Sequence, residues 1–206
     1  MPRRLSIARC LAAVLLVLAG AWLPVAAAET DGPQAQVERF HAALLGAMRD
    51  ERSFDTRARA LTAVMAQTFD FSTIARICLG KTWRELDDAQ RAEFETVLSE
   101  LIVATYVDRF DADRGQRFET VEVNVDKPNR SLVRARVVRA SGEAVALDYY
   151  FRDARVFNVV ADGVSDLSLR RADYNAVLKA DGYAHLLNDL RRQVAETRAN
   201  FAEVDG

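Results

Sequence analysis

Few side chains in this sequence have the types and spacing that do chemistry. Its two histidines, His41 and His185, have no second histidine or cysteine pair at zinc-ligand spacing, and there is no HExxH. They read as isolated surface or boundary residues. Glycine-rich nucleotide loops and the Gly-x-Ser-x-Gly nucleophile turn are missing as well. One constellation remains, Asp148 beside Tyr149 and Tyr150, because an acid and a phenol in an apolar pocket can move a proton on a hydrophobic substrate. Strand alternation puts Asp148 and Tyr149 on opposite faces, and puts Asp148 and Tyr150 on the face that carries the small Ala146. An outward acid on a half-solvated sheet is the simpler account. No catalytic residue, metal or cofactor is expected.

The elements that would carry these residues follow from the hydrophobic period. Val37, Phe40, Leu44 and Met48 mark a helix over Pro33–Arg49, with His41 off its stripe, and Leu61, Val64 and Met65 mark a second over Ser53–Thr68. A short helix over Phe69–Leu79 stops at Gly80, and Trp83 sits in the connection that follows. Asp87 with Gln90 makes a capping-box-like start. It opens a long helix over Asp88–Phe110, whose apolar face holds Phe94, Val97, Leu98, Leu101, Ile102 and Tyr106.

The period then drops to two. Val121, Val123 and Val125 form one alternating run; Val133, Ala135 and Val137 a second; Val145, Leu147, Tyr149 and Phe151 a third; Arg155–Ala161 is a fourth. Turns at 126–129, Ser141-Gly142 and Asp162-Gly163 join them. Helix returns with Tyr174, Val177 and Leu178, breaks at Asp181-Gly182, and resumes with Leu186, Leu187, Leu190 and Val194. The expected fold is α+β: a twisted antiparallel four-stranded sheet covered by helices on one face. Arg134, Arg136, Arg139 and Arg152 then fall to the solvent face, where they either stay hydrated or contact a partner.

The first 28 residues read as an export signal. Arg3, Arg4 and Arg9 precede an apolar run from Leu11 to Leu23, and Ala26-Ala27-Ala28 offers a cleavage site before Glu29. Residues 29–206 would then be a single domain in the periplasm. The formal charge of −2 over the whole chain becomes more negative by three on loss of those arginines, which argues against nucleic acid as a partner. Cys78 would be the sole cysteine left, a small buried hydrophobe with nothing to pair with.

Phe69-Asp-Phe71, Ile74-Ala-Arg76, Leu79-Gly80, Trp83, Gln90-Arg91 and Glu93-Phe94 together resemble the signature of the toluene-tolerance, or MlaC, family of periplasmic lipid carriers. The likeness runs on through Tyr106, Gly163-Val-Ser165, Arg171, Gly182 and Leu186-Leu187. It implies an apolar pocket in a cone resembling nuclear transport factor 2, a phospholipid ligand, and no cofactor. It also implies transient partners: an outer-membrane lipoprotein complex and an inner-membrane ABC transporter complex. The stretch from Val164 to Tyr174, with its paired Arg170-Arg171, is similar to the hopanoid-associated HpnM branch, which makes a hopanoid the rival cargo. Ala154 stands where the family usually has Trp, Asn158 where Asp is common and Arg170 where Tyr is common; the small Ala154 is expected to reshape the cavity.

A carrier must keep acyl chains dry. Each buried methylene is worth about 0.8 kcal/mol, so a sixteen-carbon chain brings about 13 kcal/mol, against ~1 kcal/mol net for a headgroup hydrogen bond. The site is therefore expected to be a deep apolar cavity and not a charged cradle. Its expected walls are Val133, Val137, Val145, Leu147, Tyr149 and Phe151 from strands, and Leu98, Leu101, Ile102 and Tyr106 from the long helix. The same residues would equally pack into a solid core. Two other functions stay open: an enzyme on a hydrophobic substrate with Asp148 as acid or base, and an exported adaptor with a filled core.

Overall fold

The computed structural model describes residues 32–49 and 53–204; the expected signal over residues 1–28 lies outside them. The chain runs α1 (Pro33–Arg49), α2 (Phe54–Thr68), α3 (Phe71–Leu79), α4 (Thr82–Glu85), α5 (Asp88–Arg109), β1 (Arg117–Lys127), β2 (Arg130–Val138), β3 (Ala144–Arg152), β4 (Arg155–Ala161), β5 (Val164–Ser165), α6 (Asp166–Ala180) and α7 (Gly182–Val204). Among the described residues no helix is long and apolar enough to cross a membrane.

Local chemistry sets these boundaries. Asp70 caps α3 by accepting from the Thr73 N–H at 2.9 Å, and Gly80 ends it with φ of +58°, a backbone that suits glycine. Asp87 and Gln90 form a reciprocal capping box at the start of α5, with bonds of 2.8 and 3.0 Å. Trp83 lies within the one-turn helix α4, where the Arg91 guanidinium covers its ring and also donates to its carbonyl.

The strands form an antiparallel meander in the order β1-β2-β3-β4-β5. The sheet thus has one strand more than expected: Val164 and Ser165 pair with Ala161 and Val160, a run too short to show a period. The β3–β4 turn places Asp153 and Ala154 at φ of +47° and +65°, the pattern of a type I′ hairpin turn. Ala154 is therefore an exposed turn residue and does not line the cavity, contrary to expectation.

One sheet face is buried under the helices, and Val133, Ala135, Leu147, Tyr149, Phe151 and Val156 fill it. Helix α1 crosses β1 and β2, while α3 and α6 meet β4. Strand β1 departs from simple alternation. A bulge leaves Val121 without a partner between Thr120 and Glu122, so Val121 is 61% exposed. Val125 shares the face of Val123 but lies near the hairpin tip opposite Ser131, and is 69% exposed.

On the other face Arg134 pairs with Glu122 at 2.6 Å and Arg136 with Glu119 at 2.7 Å, while Arg152 lies over the Phe157 ring. Carboxylates of β1 neutralise this stripe, so it carries alternating charge and not a basic patch. Both acids are held below the ordinary carboxylate range by those arginine hydrogen bonds.

Candidate functional site: a cavity between sheet and helices

A cavity of about 740 Å³ opens between the last turns of α5, the start of α6 and the face of β2, β3 and β4. Its floor is Leu147 and Tyr149, both buried, with half-buried Tyr106, Phe110, Val137, Val145, Val159 and Ala161 around them. The rim is exposed and comes from Arg109, Arg114, Arg139, Ala140, Ser141, Val164 and Leu169. A methylene is close in volume to a water molecule, about 30 Å³, so a sixteen-carbon chain needs roughly 480 Å³. One acyl chain fits inside with space to spare.

Most polar groups on this wall are satisfied within the protein, which keeps the lining apolar. The Tyr149 hydroxyl lies 2.9 Å from His41 Nε2. Thr105 donates back to the Leu101 carbonyl at 2.8 Å. The Gln116 amide donates to the Ala112 carbonyl at 2.8 Å and accepts from the Arg114 N–H at 2.6 Å. Such pairing removes the penalty that an unpaired polar group would impose on a greasy surface.

His41 is itself a finding, because it was expected at a surface or boundary. It is 4% exposed, stacked on Phe118 at 4.2 Å between centroids, and burial lowers its pKa to about 4. His185 is the one near solvent, 3.2 Å from Asp189.

Half of the residues expected to form the wall do so: Tyr106, Val137, Val145, Leu147 and Tyr149. Leu98, Leu101, Val133 and Phe151 lie in the solid core instead. Ile102 borders a second, much smaller void that also touches Tyr106, Val159 and Asp166. The reason is geometric. The apolar stripe of α5 runs along the whole helix, and only its last turns pass over the gap.

The cavity also has four arginines that the sequence reading did not place there: Arg109, Arg114, Arg139 and Arg170. The expectation of a site without a charged cradle is corrected to that extent. Arg114 makes a bidentate pair with Asp111, both bonds 2.7 Å, and this holds the Asp111 carboxyl below its usual range. Arg139 pairs with Glu143 at 2.7 Å. Arg170 donates to Asp166 at 2.7 Å and to the Tyr174 hydroxyl at 3.3 Å. Burial opposes the Arg170 charge, but the Asp166 carboxylate and Tyr174 more than offset it.

The parts of a proton-transfer site are not assembled. Asp148 does not line the cavity; it sits on the outer face, 4.0 Å from Arg134. Tyr149 is engaged by His41, not by an acid. Cys78 is buried, with its thiol pushed up to about 12 by that burial, so it is not a nucleophile. Among the described residues no group of three or more His, Cys, Asp or Glu is placed to hold a metal ion.

The fold has a known counterpart. A phospholipid-binding protein from Ralstonia solanacearum, solved in complex with a phospholipid, superposes with a TM-score of 0.71 at 20% sequence identity, covering 81% of this chain and 99% of the other. At that identity the likeness is one of fold. A search of curated protein sequences finds no significant match. The sequence model of the MlaC protein family matches residues 38–192, a span that contains α5, the sheet and α6 and hence the whole cavity; the chain belongs to the MlaC family.

Proposed function

We propose that this protein is a lipid carrier of the periplasm, which shelters acyl chains in the cavity between sheet and helices. The single observation that carries the reading is that cavity: about 740 Å³, with a floor of Leu147 and Tyr149, beside a core of buried apolar side chains. Empty apolar volume of this size costs packing energy, and burying a chain of hydrocarbon recovers it.

Family membership and the phospholipid bound to the Ralstonia protein support phospholipid as the cargo class. In this reading residues 1–28 direct export, and the carrier exchanges lipid with an outer-membrane lipoprotein complex and an inner-membrane ABC transporter complex. A hopanoid is the second cargo. The similarity of Val164–Tyr174 to the hopanoid-associated branch favours it, and two residues of that segment, Val164 and Arg170, line the cavity.

The test is extraction of the protein purified from periplasm without detergent, with lipids identified by mass spectrometry. Stoichiometric phospholipid supports the reading and a hopanoid redirects it. Protein that stays lipid-free after exposure to membranes contradicts it.

A further inference from the structure

Two neighbours on the last turns of α5 differ from every other polar group in the wall. The Tyr106 hydroxyl has no hydrogen-bond partner among the described residues, and it is not among the polar atoms sealed away from the surface. Thr105, Tyr149 and Gln116 all have protein partners. Arg109, three residues on from Tyr106 and so on the same helix face, is the one arginine of the cavity with no ion pair or hydrogen bond among the described residues; Arg114, Arg139 and Arg170 each hold a carboxylate.

Asp166, Arg170 and Arg109 line the cavity together with Tyr106. The Asp166 carboxylate is already neutralised by Arg170. Arg170 uses its Nε–H on Asp166 and one Nη1–H on Tyr174, which leaves guanidinium donors to spare. One side of the cavity thus offers a phenol and a guanidinium without partners among the described residues, with the second guanidinium of Arg170 in the same lining and Asp166 already paired to it. Hydrocarbon uses none of these groups.

Granting the carrier reading, on which this rests, we propose that Tyr106 and Arg109, together with Arg170, form the headgroup site of the cavity. Arg109 and Arg170 hold the phosphate of a glycerophospholipid, and the Tyr106 hydroxyl donates to an adjoining ester carbonyl. Guanidinium matches phosphate oxygens in charge and shape. A neutral polycyclic lipid would leave the same three groups unmatched. The cavity therefore selects cargo by its phosphate as well as by its tails. An arginine in the last turn of a helix also complements the helix dipole, but that role favours no cargo over another.

The experiment displaces a fluorescent fatty acid from the whole mature protein with phosphatidylglycerol, with diacylglycerol of the same chains, or with sn-glycerol 3-phosphate. Wild type should prefer phosphatidylglycerol over diacylglycerol about ten-fold, as charge-assisted bonds at a part-exposed site allow, and the preference should shrink in 0.5 M salt. Arg109→Gln should lower phosphatidylglycerol affinity about five-fold and leave diacylglycerol unchanged, and Tyr106→Phe should act in the same direction with a smaller effect. Glycerol 3-phosphate alone should displace nothing.

Equal affinity for the two lipids, or a preference that survives both substitutions, overturns the headgroup site while leaving the carrier reading intact. Displacement by glycerol 3-phosphate at lipid-like concentrations points to a soluble phosphate ligand and overturns the lipid assignment. If neither lipid displaces the probe, the carrier reading falls and the headgroup site with it.

Discussion

His41 Nε2 on α1 lies 2.9 Å from the hydroxyl of Tyr149 on β3, joining the first helix, which lies over β1 and β2, to the cavity floor. Burial keeps this imidazole neutral, bringing the His41 pKa down to about 4 from an ordinary 6.5. The unfolded chain binds that proton first as pH falls. Stability is therefore complete above about pH 6.5 and is lost progressively between 6.5 and 4, by on the order of 3 kcal/mol for a shift of this size. Urea midpoints from pH 7 to pH 4 should fall steeply in wild type. In His41→Gln, which starts less stable, they should fall along a visibly flatter line, and parallel lines would contradict this assignment.

Ala154 occupies a left-handed position, φ +65°, in the β3–β4 turn. A β-carbon there costs about 1–2 kcal/mol, while glycine adds roughly 0.4–1 kcal/mol of unfolded-state entropy. Ala154→Gly should stabilise the protein by about 0.5–1 kcal/mol, read as a higher urea midpoint, and should leave lipid affinity alone because the turn is not part of the cavity.

Asp148 provides a sharp contrast between the carrier and the enzyme. It faces the outer side of the sheet near Arg134, at 4.0 Å, a contact of surface strength worth about 0–1 kcal/mol. Asp148→Asn should bind lipid as wild type does and change stability by less than about 1 kcal/mol. Loss of biological function with lipid loading intact would revive the catalytic alternative.

Much of the frame was legible in the sequence because its causes are local. Asp87 and Gln90 are close enough in the chain to cap α5 without help, and strand alternation located Val137, Val145, Leu147 and Tyr149. What stayed hidden depends on distant partners. His41 lies off the apolar stripe of α1 and is buried only because Tyr149 and Phe118 meet it. Arg139 reads as one of several solvent-facing arginines and Arg170 only as a departure from the family's pattern, while nothing in a periodic pattern marks Arg109 as the edge of a cavity.

Leu101 and Val145 separate core from cavity. Leu101 is 4% exposed within the packed core, so Leu101→Ala should cost about 2–5 kcal/mol. Its thermal midpoint should drop well below that of wild type while the folded fraction still takes up a fluorescent fatty acid. Val145 lines the cavity and is only half-buried. Its replacement by Trp should fill space already empty, with little change in midpoint.

Native mass spectrometry of wild type beside Val145→Trp, both purified from periplasm without detergent, tests the central claim most directly. The carrier account predicts that folded wild type carries added mass corresponding to bound lipid, and that equally folded Val145→Trp, whose ring takes up part of the cavity, carries less. Bare wild type, or an occluded variant as fully loaded as wild type, would contradict it.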